Sequence, residues 1–369
     1  MRIGLDLRML GGGSGISRYV MEISTNILEK NKDNEYVLFF NKLDQELRSI
    51  YEKFNQKMVE TGINHYSLAE QLELPLVLHR ENLDLVHFPH FNVPFFYRKP
   101  YVVTIHDLIH TKYPGRKKSH LFHRLAYNLI INNAIKTSRK IIAVSESTKK
   151  EIIEYFKVDD SKIQVVYEGA GEKYKVVDKD IAQTHVKDKF GLAKPYILYV
   201  GVWRRYKNLL RLAKAFDKLR QQGMDIELVL AGAEDPYYPE IRKQISDIRY
   251  HESVKVLGRV SDEDLNFLYN GASLFVLPSL SEGFGLTALE AGVCGVAVVC
   301  SDISTLREVM GQGAEYFDPH NLDNMVDVIQ RILEDPKRQE ELANLALSRS
   351  KHFSWQKAAE ETIRIYESL

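Results

Sequence analysis

Two glutamates eight positions apart, Glu282 and Glu290, bracket the run Gly283-Phe284-Gly285-Leu286-Thr287-Ala288-Leu289. A carboxylate accepts hydrogen bonds from neighbouring hydroxyls. Glycines ahead of an Ala/Leu-rich run read as a turn that opens a helix. Upstream, Ser273-Leu274-Phe275-Val276-Leu277 is strand-like and is ended by Pro278. Strand, loop and helix start in this order gather backbone N–H groups and the positive end of a helix dipole in one place, where a phosphate can bind. Glu282 falls on the loop and Glu290 about a turn into the helix. One helix start can therefore hold a phosphate while two acids grip hydroxyls on either side, which fits a sugar joined to a nucleotide through phosphates. Acids near helix starts are also common because they suit the dipole. The glycines and the preceding strand are what lift this pair above that ordinary reading.

Three other stretches carry chemistry. Gly11-Gly12-Gly13-Ser14-Gly15-Ile16 follows the first strand and opens a helix, so backbone amides there can surround an anion. It departs from the dinucleotide fingerprint, which needs glycine where Ile16 or Arg18 stands. Thr104-Ile105-His106-Asp107-Leu108 lies at a strand end, where ligands gather in doubly wound sheets. A lone His is more often structural, but this one ends an apolar strand beside an acid. Tyr199-Val200-Gly201-Val202-Trp203-Arg204-Arg205-Tyr206-Lys207-Asn208 joins a strand to a helix, a place where cations can neutralise a diphosphate leaving group. Removing Lys207 is expected to cost about 1.5–3 kcal/mol of leaving-group binding, the scale of a charge-assisted hydrogen bond. Arg204 and Arg205 compete for the second cationic role.

These residues need a scaffold with several strand ends side by side. At 369 residues the chain suits two domains. Its 44% hydrophobic and 27% charged content is that of a globular protein. Short apolar runs alternate with longer amphipathic ones, which argues α/β with parallel sheets. Strands are expected at Arg2–Leu7, Tyr36–Phe40, Asp84–Phe88, Tyr101–Ile105 and Lys140–Val144. The helices between them are Ile16–Glu29, Leu68–His79, Ser119–Thr137 and Ser147–Phe156, the last capped from Ser145-Glu146-Ser147. Asp178–Lys194 is polar, ends at Pro195 and reads as a linker. A second sheet follows at Tyr196–Gly201, Ile226–Ala231, Val254–Leu257, Ser273–Leu277 and Val296–Val299, with a helix over Leu209–Gln222. The amphipathic tail Ser354–Leu369 reads as a final helix. No sequence repeat relates the halves.

Charge and cysteines exclude several classes. The 50 Lys/Arg and 50 Asp/Glu cancel, so no global field invites nucleic acid. Residues 1–170 hold 24 basic and 20 acidic side chains, a balance of +4, and the remainder holds 26 and 30, a balance of −4. Cys294 and Cys300 form no CxxC or Cys/His metal spacing and are expected to be buried free thiols of a reducing compartment. Asp6 and Arg8 interrupt the opening residues, which read as a strand and not a signal peptide. No apolar run approaches the ~20 residues that span a bilayer. Asp178-Lys179-Asp180 and Asp262-Glu263-Asp264 do not end strands at the inferred site; the second reads as an acidic first helical turn after Ser261. No metal is expected.

The string from Glu282 to Glu290 resembles the E-x7-E signature of retaining glycosyltransferases of family 4, and the other motifs extend the resemblance over nearly the whole chain. The resemblance implies the α/β GT-B fold, two Rossmann-like doubly wound parallel-sheet domains facing a cleft. The acceptor-side domain would be 1–175 plus a crossover helix at 354–369, and the nucleotide-sugar domain 190–353. It implies a hexosyltransferase that needs neither cofactor nor metal beyond its nucleotide-sugar co-substrate. Glu290 would hold the ribose, Glu282 the sugar, and Phe284, Gly285, Leu286 and Thr287 the sugar or phosphate. Lys207 and Arg204 would meet the diphosphate, although many relatives carry Arg where this chain has Tyr206. Arg259 and Val260 would lie by the base, Gly15 in the loop facing donor and acceptor, and His106 at the sugar rim. His106, Glu282 and Lys207 are the candidate catalytic set. Retention of configuration is implied by the family alone.

The opening Ile3–Arg8 and the Thr104–Leu108 block look most like bacterial mannosyltransferases of surface polysaccharide synthesis, so GDP-mannose is the favoured donor and a UDP-sugar the alternative. The acceptor implied is a glycan or polyprenyl-linked glycan. Arg98–Arg124 has seven Lys/Arg against one acid, Asp107, with Tyr101, Tyr113, Leu121 and Phe122 among them. Such a stretch either docks on anionic lipid at the inner face of the membrane or is a solvated surface of a cytoplasmic protein. Sugar-nucleotide epimerases share the architecture without the glutamate string, and phosphorylases need a pyridoxal-phosphate lysine and a longer chain; a non-catalytic nucleotide-sugar-binding subunit is the other alternative, and the intact Glu282, Glu290, Lys207 and His106 set argues against it.

Overall fold

The computed structural model describes residues 1–11, 15–113 and 121–369, with nothing described of the side chains of 121–123. The chain forms two compact units, Met1–Gly169 with Ser354–Leu369, and Ala170–Phe353.

In the first unit the strands are β1 (Arg2–Asp6), β2 (Glu35–Phe40), β3 (Lys57–Glu60), β4 (Leu85–Phe88), β5 (Tyr101–Ile105), β6 (Lys140–Ala143) and β7 (Ile163–Val165). They form one seven-stranded sheet in the order β3-β2-β1-β4-β5-β6-β7. In the second unit β8 (Tyr196–Val200), β9 (Glu227–Ala231), β10 (Val254–Gly258), β11 (Leu274–Leu277), β12 (Val298–Ser301) and β13 (Glu315–Phe317) form a six-stranded sheet in the order β10-β9-β8-β11-β12-β13. Every pairing is parallel. Strands β5, β8, β9 and β11 are buried along their whole length, as parallel strands covered by helices on both faces must be. Each unit has its own core, with Val103, Ile105, Ile131 and Ile141 in the first and Ile197, Leu212, Phe216, Leu228 and Val276 in the second. In each sheet the strand order reverses once, between β1 and β4 and between β8 and β11. The crevice outside the carboxyl ends of strands at such a reversal is where open α/β sheets bind ligands.

The expected elements form, with three differences. Asp178–Lys194, read as a linker, contains a helix, Lys179–Phe190, capped at its start by Asp178 and at its end by Gly191 in the left-handed conformation. Only Ala182 and Val186 are buried there, too few apolar positions to give a periodic signal. Polar contacts hold the helix instead: His185 and Lys189 both reach Asp264, at 3.0 and 2.8 Å, and His185 stacks on Phe267 with ring centroids 4.0 Å apart. Leu68–His79, expected as one helix, is two, Leu68–Leu72 and Leu74–Arg80. Pro75 cannot continue a helical hydrogen-bond ladder, so it sits in the first turn of the second piece. The strands that the sequence reading omitted, β3, β7 and β13, are all sheet edges. They are three or four residues long and only partly buried, so they lack the continuous apolar run of a central strand.

Candidate functional site

In the second unit β11 ends at Leu277 and a loop leads into the helix Leu286–Val293. Gly285 begins this helix at φ +97°. An added Cβ there would lie 2.6 Å from Leu306 Cδ2, so both conformation and space require glycine. No side chain caps the helix, which leaves the amides of Leu286 and Thr287 aimed outward from a positive helix end. Thr305 Oγ1 donates to the Glu282 carbonyl at 3.0 Å, and Leu280 N donates to the Tyr206 carbonyl at 2.7 Å. The second bond ties this loop to the one after β8.

That second loop carries Lys207 on a 3-10 turn, Arg205–Lys207, before Asn208 turns the chain through φ 57° into the helix Leu209–Gln221. Lys207 Nζ lies 2.7 Å from Glu282 Oε1, with side chains only 17% and 9% exposed. Burial pulls the ammonium pKa down, but the charge of Glu282, the nearby Tyr206 and Tyr199, and the hydrogen bond to Glu282 outweigh it and hold Lys207 above its ordinary value. Lys207 and Glu282 follow β8 and β11, the two strands that flank the sheet's reversal point. Arg204 Nε donates to Asp235 at 2.9 Å, whereas Arg205 is paired with Glu240 and is 65% exposed. Glu290 sits in the same helix as Thr287 but is 1% exposed, and Tyr269 donates its hydroxyl to Glu290 Oε2 at 3.0 Å.

In the first unit His106 follows β5. Its Nδ1 lies 3.1 Å from Glu168 Oε1 and its Nε2 lies 2.9 Å from the Pro89 carbonyl. A carboxylate and a carbonyl both accept, so this arrangement favours the protonated ring. Burial opposes the charge, but the hydrogen bond and charge of Glu168, the Pro89 carbonyl and Asp107 together raise the pKa above the ordinary histidine value. Thr148 Oγ1 donates to the His106 carbonyl at 3.2 Å. Gly15 is the first residue of the helix Gly15–Lys30, and a Cβ there would meet nothing within 4 Å.

Comparison with known proteins is decisive on the family. The profile of Glycosyl transferases group 1 matches residues 180–349, and that of Glycosyltransferase Family 4 matches residues 13–170. The chain belongs to the family 4 glycosyltransferases. It is 29% identical to the O-antigen chain mannosyltransferase B of Escherichia coli, over 96% of each chain. It is 33% identical to the serotype-specific mannosyltransferase WbdA of Escherichia coli over 62% of its own length and 29% of that longer protein. Among solved structures, Anabaena HepE in complex with UDP and glucose superposes with a TM-score of 0.78 at 20% identity, covering all of both chains. WaaG, a glycosyltransferase involved in lipopolysaccharide biosynthesis, superposes with a TM-score of 0.75 at 13% identity over 98% of this chain and 99% of its own. These likenesses establish the GT-B fold.

Within this glycosyltransferase, the expected donor residues distribute unevenly. Glu282 and Lys207 touch, and Arg204 lies on the same loop as Lys207. Gly285, Leu286 and Thr287 form the open helix start. Phe284 is 3% exposed and packs edge-on to Phe353 at 5.7 Å, a core position. Arg259 and Val260 follow β10, two strands away from β8. A Cβ at Gly232, at the end of the intervening β9, would collide with the Gly201 carbonyl, so the ends of β8 and β9 approach as closely as backbones allow. Gly12, Gly13 and Ser14 lie outside the described residues, as do Arg116, Lys117, Lys118 and His120 and the side chains of Leu121, Phe122 and His123. Tyr101, counted among the surface aromatics of the basic stretch, is 1% exposed and donates to the Ala134 carbonyl at 3.0 Å. It belongs to the core because it begins the central strand β5. Among the described residues no group of three His, Cys, Asp or Glu could hold a metal ion, and none of the helices is long and apolar enough to cross a membrane. Both cysteines are buried and free. Sequence reading missed Glu168, whose only signal is an acid just beyond an edge strand. It also missed His87, which the apolar run Leu85-Val86-His87-Phe88 marks as buried.

Proposed function

We propose that this glycosyltransferase moves mannose from GDP-mannose to a glycan or polyprenyl-linked glycan, with retention of configuration and without a metal. The observation that carries the reading is the Lys207–Glu282 contact beside an uncapped helix start at the reversal point of the second sheet. Read this way, Lys207 is the cation for the diphosphate, the amides of the helix start meet a phosphate, and Glu282 is the acid for sugar hydroxyls. On this reading the acceptor hydroxyl attacks the anomeric carbon from the face the leaving group departs. The bond from that carbon to the diphosphate breaks, and the departing phosphate takes the hydroxyl proton. Lys207, Arg204 and the Leu286 and Thr287 amides stabilise the growing phosphate charge. Glu282 orients the sugar, and Glu290 meets the ribose, giving up its Tyr269 contact or sharing it. The mannosyltransferase relatives support mannose. UDP in the HepE structure supports a UDP-sugar as the second reading.

Calorimetric titration with GDP, GDP-mannose, UDP and UDP-glucose, each with and without EDTA, tests the proposal. Tight GDP-mannose binding that survives EDTA is expected. Preference for UDP overturns the donor, and binding abolished by EDTA overturns metal independence.

A lipid-linked acceptor places a cytoplasmic enzyme at the inner face of a membrane, and one surface of the first unit supports that. Leu68, Leu72, Leu76, Phe96, Leu125 and Leu129 are each at least half exposed. Phe95 links two of the helices that bear them, its N–H donating to Gln71 at 2.8 Å and its carbonyl accepting from Asn133 at 3.5 Å. Exposed Arg98 and Arg124 lie beside Phe96 and Leu125 in sequence. Sedimentation with anionic vesicles but not neutral ones is the expected result.

A further inference from the structure

The first unit contains a buried hydrogen-bonded chain that the reaction outlined above does not use. It begins at Tyr366, in the last turn of the helix Trp355–Glu367. The Tyr366 hydroxyl lies 2.5 Å from His87 Nδ1, and His87 Nε2 lies 2.8 Å from Thr104 Oγ1. The Tyr19 hydroxyl lies 3.1 Å from the same Thr104 oxygen. All four residues are at most 2% exposed, so water cannot replace a lost partner. Burial, helped by the charge of His106, lowers the His87 pKa to about 3. His87 is therefore neutral, donating from one nitrogen and accepting at the other, and the hydroxyls on either side complete the chain.

The chain ends against His106. The Tyr19 ring meets the His106 ring at 4.5 Å and 86°, and meets Trp355 at 5.7 Å. Thr104 lies in β5 and His106 directly follows that strand, and Tyr19 contacts both side chains. A third contact comes from the start of the same helix. A Cβ on Gly169 would collide with the backbone of Ser354 and Trp355, and Gly169 follows Glu168, the carboxylate partner of His106. Both ends of the C-terminal helix thus bear on the groups that surround one imidazole.

We propose that Tyr366 is a positioning residue for His106, acting through His87, Thr104 and Tyr19. The inference rests on the reading of His106 as a reaction-site residue. A purely structural chain would stabilise the unit and leave His106 unmoved, and that difference is measurable. In the full chain, the His106 imidazole signals are followed by nitrogen–proton NMR, assigned by their loss in His106→Gln, while turnover is measured with nucleotide sugar. Tyr366→Phe keeps the ring and removes only the hydroxyl. It is expected to shift the His106 signals and to lower kcat at least fivefold with the donor KM changed less than twofold. A lower melting temperature with unchanged His106 signals and unchanged kcat overturns the proposal. If Tyr366→Phe does not fold, Tyr19→Phe is read by the same criteria, and unmoved His106 signals there overturn it equally. The NMR readout needs no substrate. A wild type that transfers no sugar but whose His106 signals respond to Tyr366→Phe would defeat the proposed reaction and leave the positioning chain standing.

Discussion

Breaking the Lys207–Glu282 pair should separate its two roles. Both side chains are largely buried, 17% and 9% exposed. Removing one partner strands the other charge, which costs about 3–5 kcal/mol for a buried pair. The 17% exposure of Lys207 leaves some access to water, so the lower end, about 3 kcal/mol, applies. For a unit of this size that is a fall of about 6–12 °C in its melting temperature. Lys207→Met and Glu282→Gln should each show it, and the double variant should lose much less than the sum because no stranded charge remains. Ligand binding then divides the pair. Lys207→Met should weaken GDP and GDP-mannose alike, by about 1.5–3 kcal/mol, or roughly 10- to 150-fold. Glu282→Gln should weaken GDP-mannose and spare GDP, because GDP has no sugar for the acid to hold. Differential scanning calorimetry and isothermal titration read the two effects. The reasoning fails if Glu282→Gln weakens GDP as much as GDP-mannose, or if the two melting losses simply add.

Acid should unfold the first unit through His87. Its pKa falls from 6.5 to about 3 on folding, so between those values the unfolded chain holds a proton that the folded chain does not. Stability therefore falls as pH drops through that window, by up to about 1.4 kcal/mol per pH unit. His87→Gln should flatten the fall in melting temperature between pH 6.5 and 4, and an identical slope would count against the assignment. His106 works in the opposite direction. Its pKa is raised, so its stabilisation is complete below pH 6.5 and is lost as pH rises through the folded value. The melting deficit of Glu168→Gln should accordingly be larger at pH 5.5 than at pH 9, and equal deficits would show that Glu168 does not hold the charge. Gly285→Ala combines a positive φ with a Cβ 2.6 Å from Leu306 Cδ2. It should cost about 2–4 kcal/mol and loosen GDP binding, and adding Leu306→Ala should restore part of the melting temperature because it relieves the clash but not the dihedral. Wild-type melting in Gly285→Ala would show that the helix start tolerates a side chain.

The fold was legible wherever strands are central and buried. Tyr196–Val200 and Tyr101–Ile105 are apolar along their length, and parallel pairing demands that. The edges were not legible. Glu315–Phe317 is three residues with mixed burial, a pattern that a loop could share. The Lys179–Phe190 helix escaped notice because capping and ion pairs hold it more than an apolar stripe does. Site residues followed the same logic. Lys207 and Glu282 stand out as charged residues at strand-to-helix joins, and topology brings those two joins together. Glu168 and Tyr366 could not be found that way. Each matters through a partner distant in sequence, 62 residues from Glu168 to His106 and 279 from Tyr366 to His87, and no local pattern encodes such a pairing.

Three of the expected site charges are held by opposite charges, two in the second unit and one in the first. Lys207 meets Glu282, Arg204 meets Asp235, and His106 meets Glu168. A buried site assembled from unpaired charges would be costly to fold, because each would forfeit its hydration. Pairing removes that cost and imposes another: a ligand must exchange partners to bind. A nucleotide sugar is suited to the exchange at Lys207 and Glu282. Its diphosphate can replace the carboxylate at the ammonium, and its sugar hydroxyls can replace the ammonium at the carboxylate, so neither group is left bare. A nucleotide without the sugar satisfies only Lys207, and a free sugar only Glu282. On this reasoning GDP leaves Glu282 bare while GDP-mannose leaves neither group bare, so the advantage of GDP-mannose over GDP should persist in Lys207→Met and shrink in Glu282→Gln.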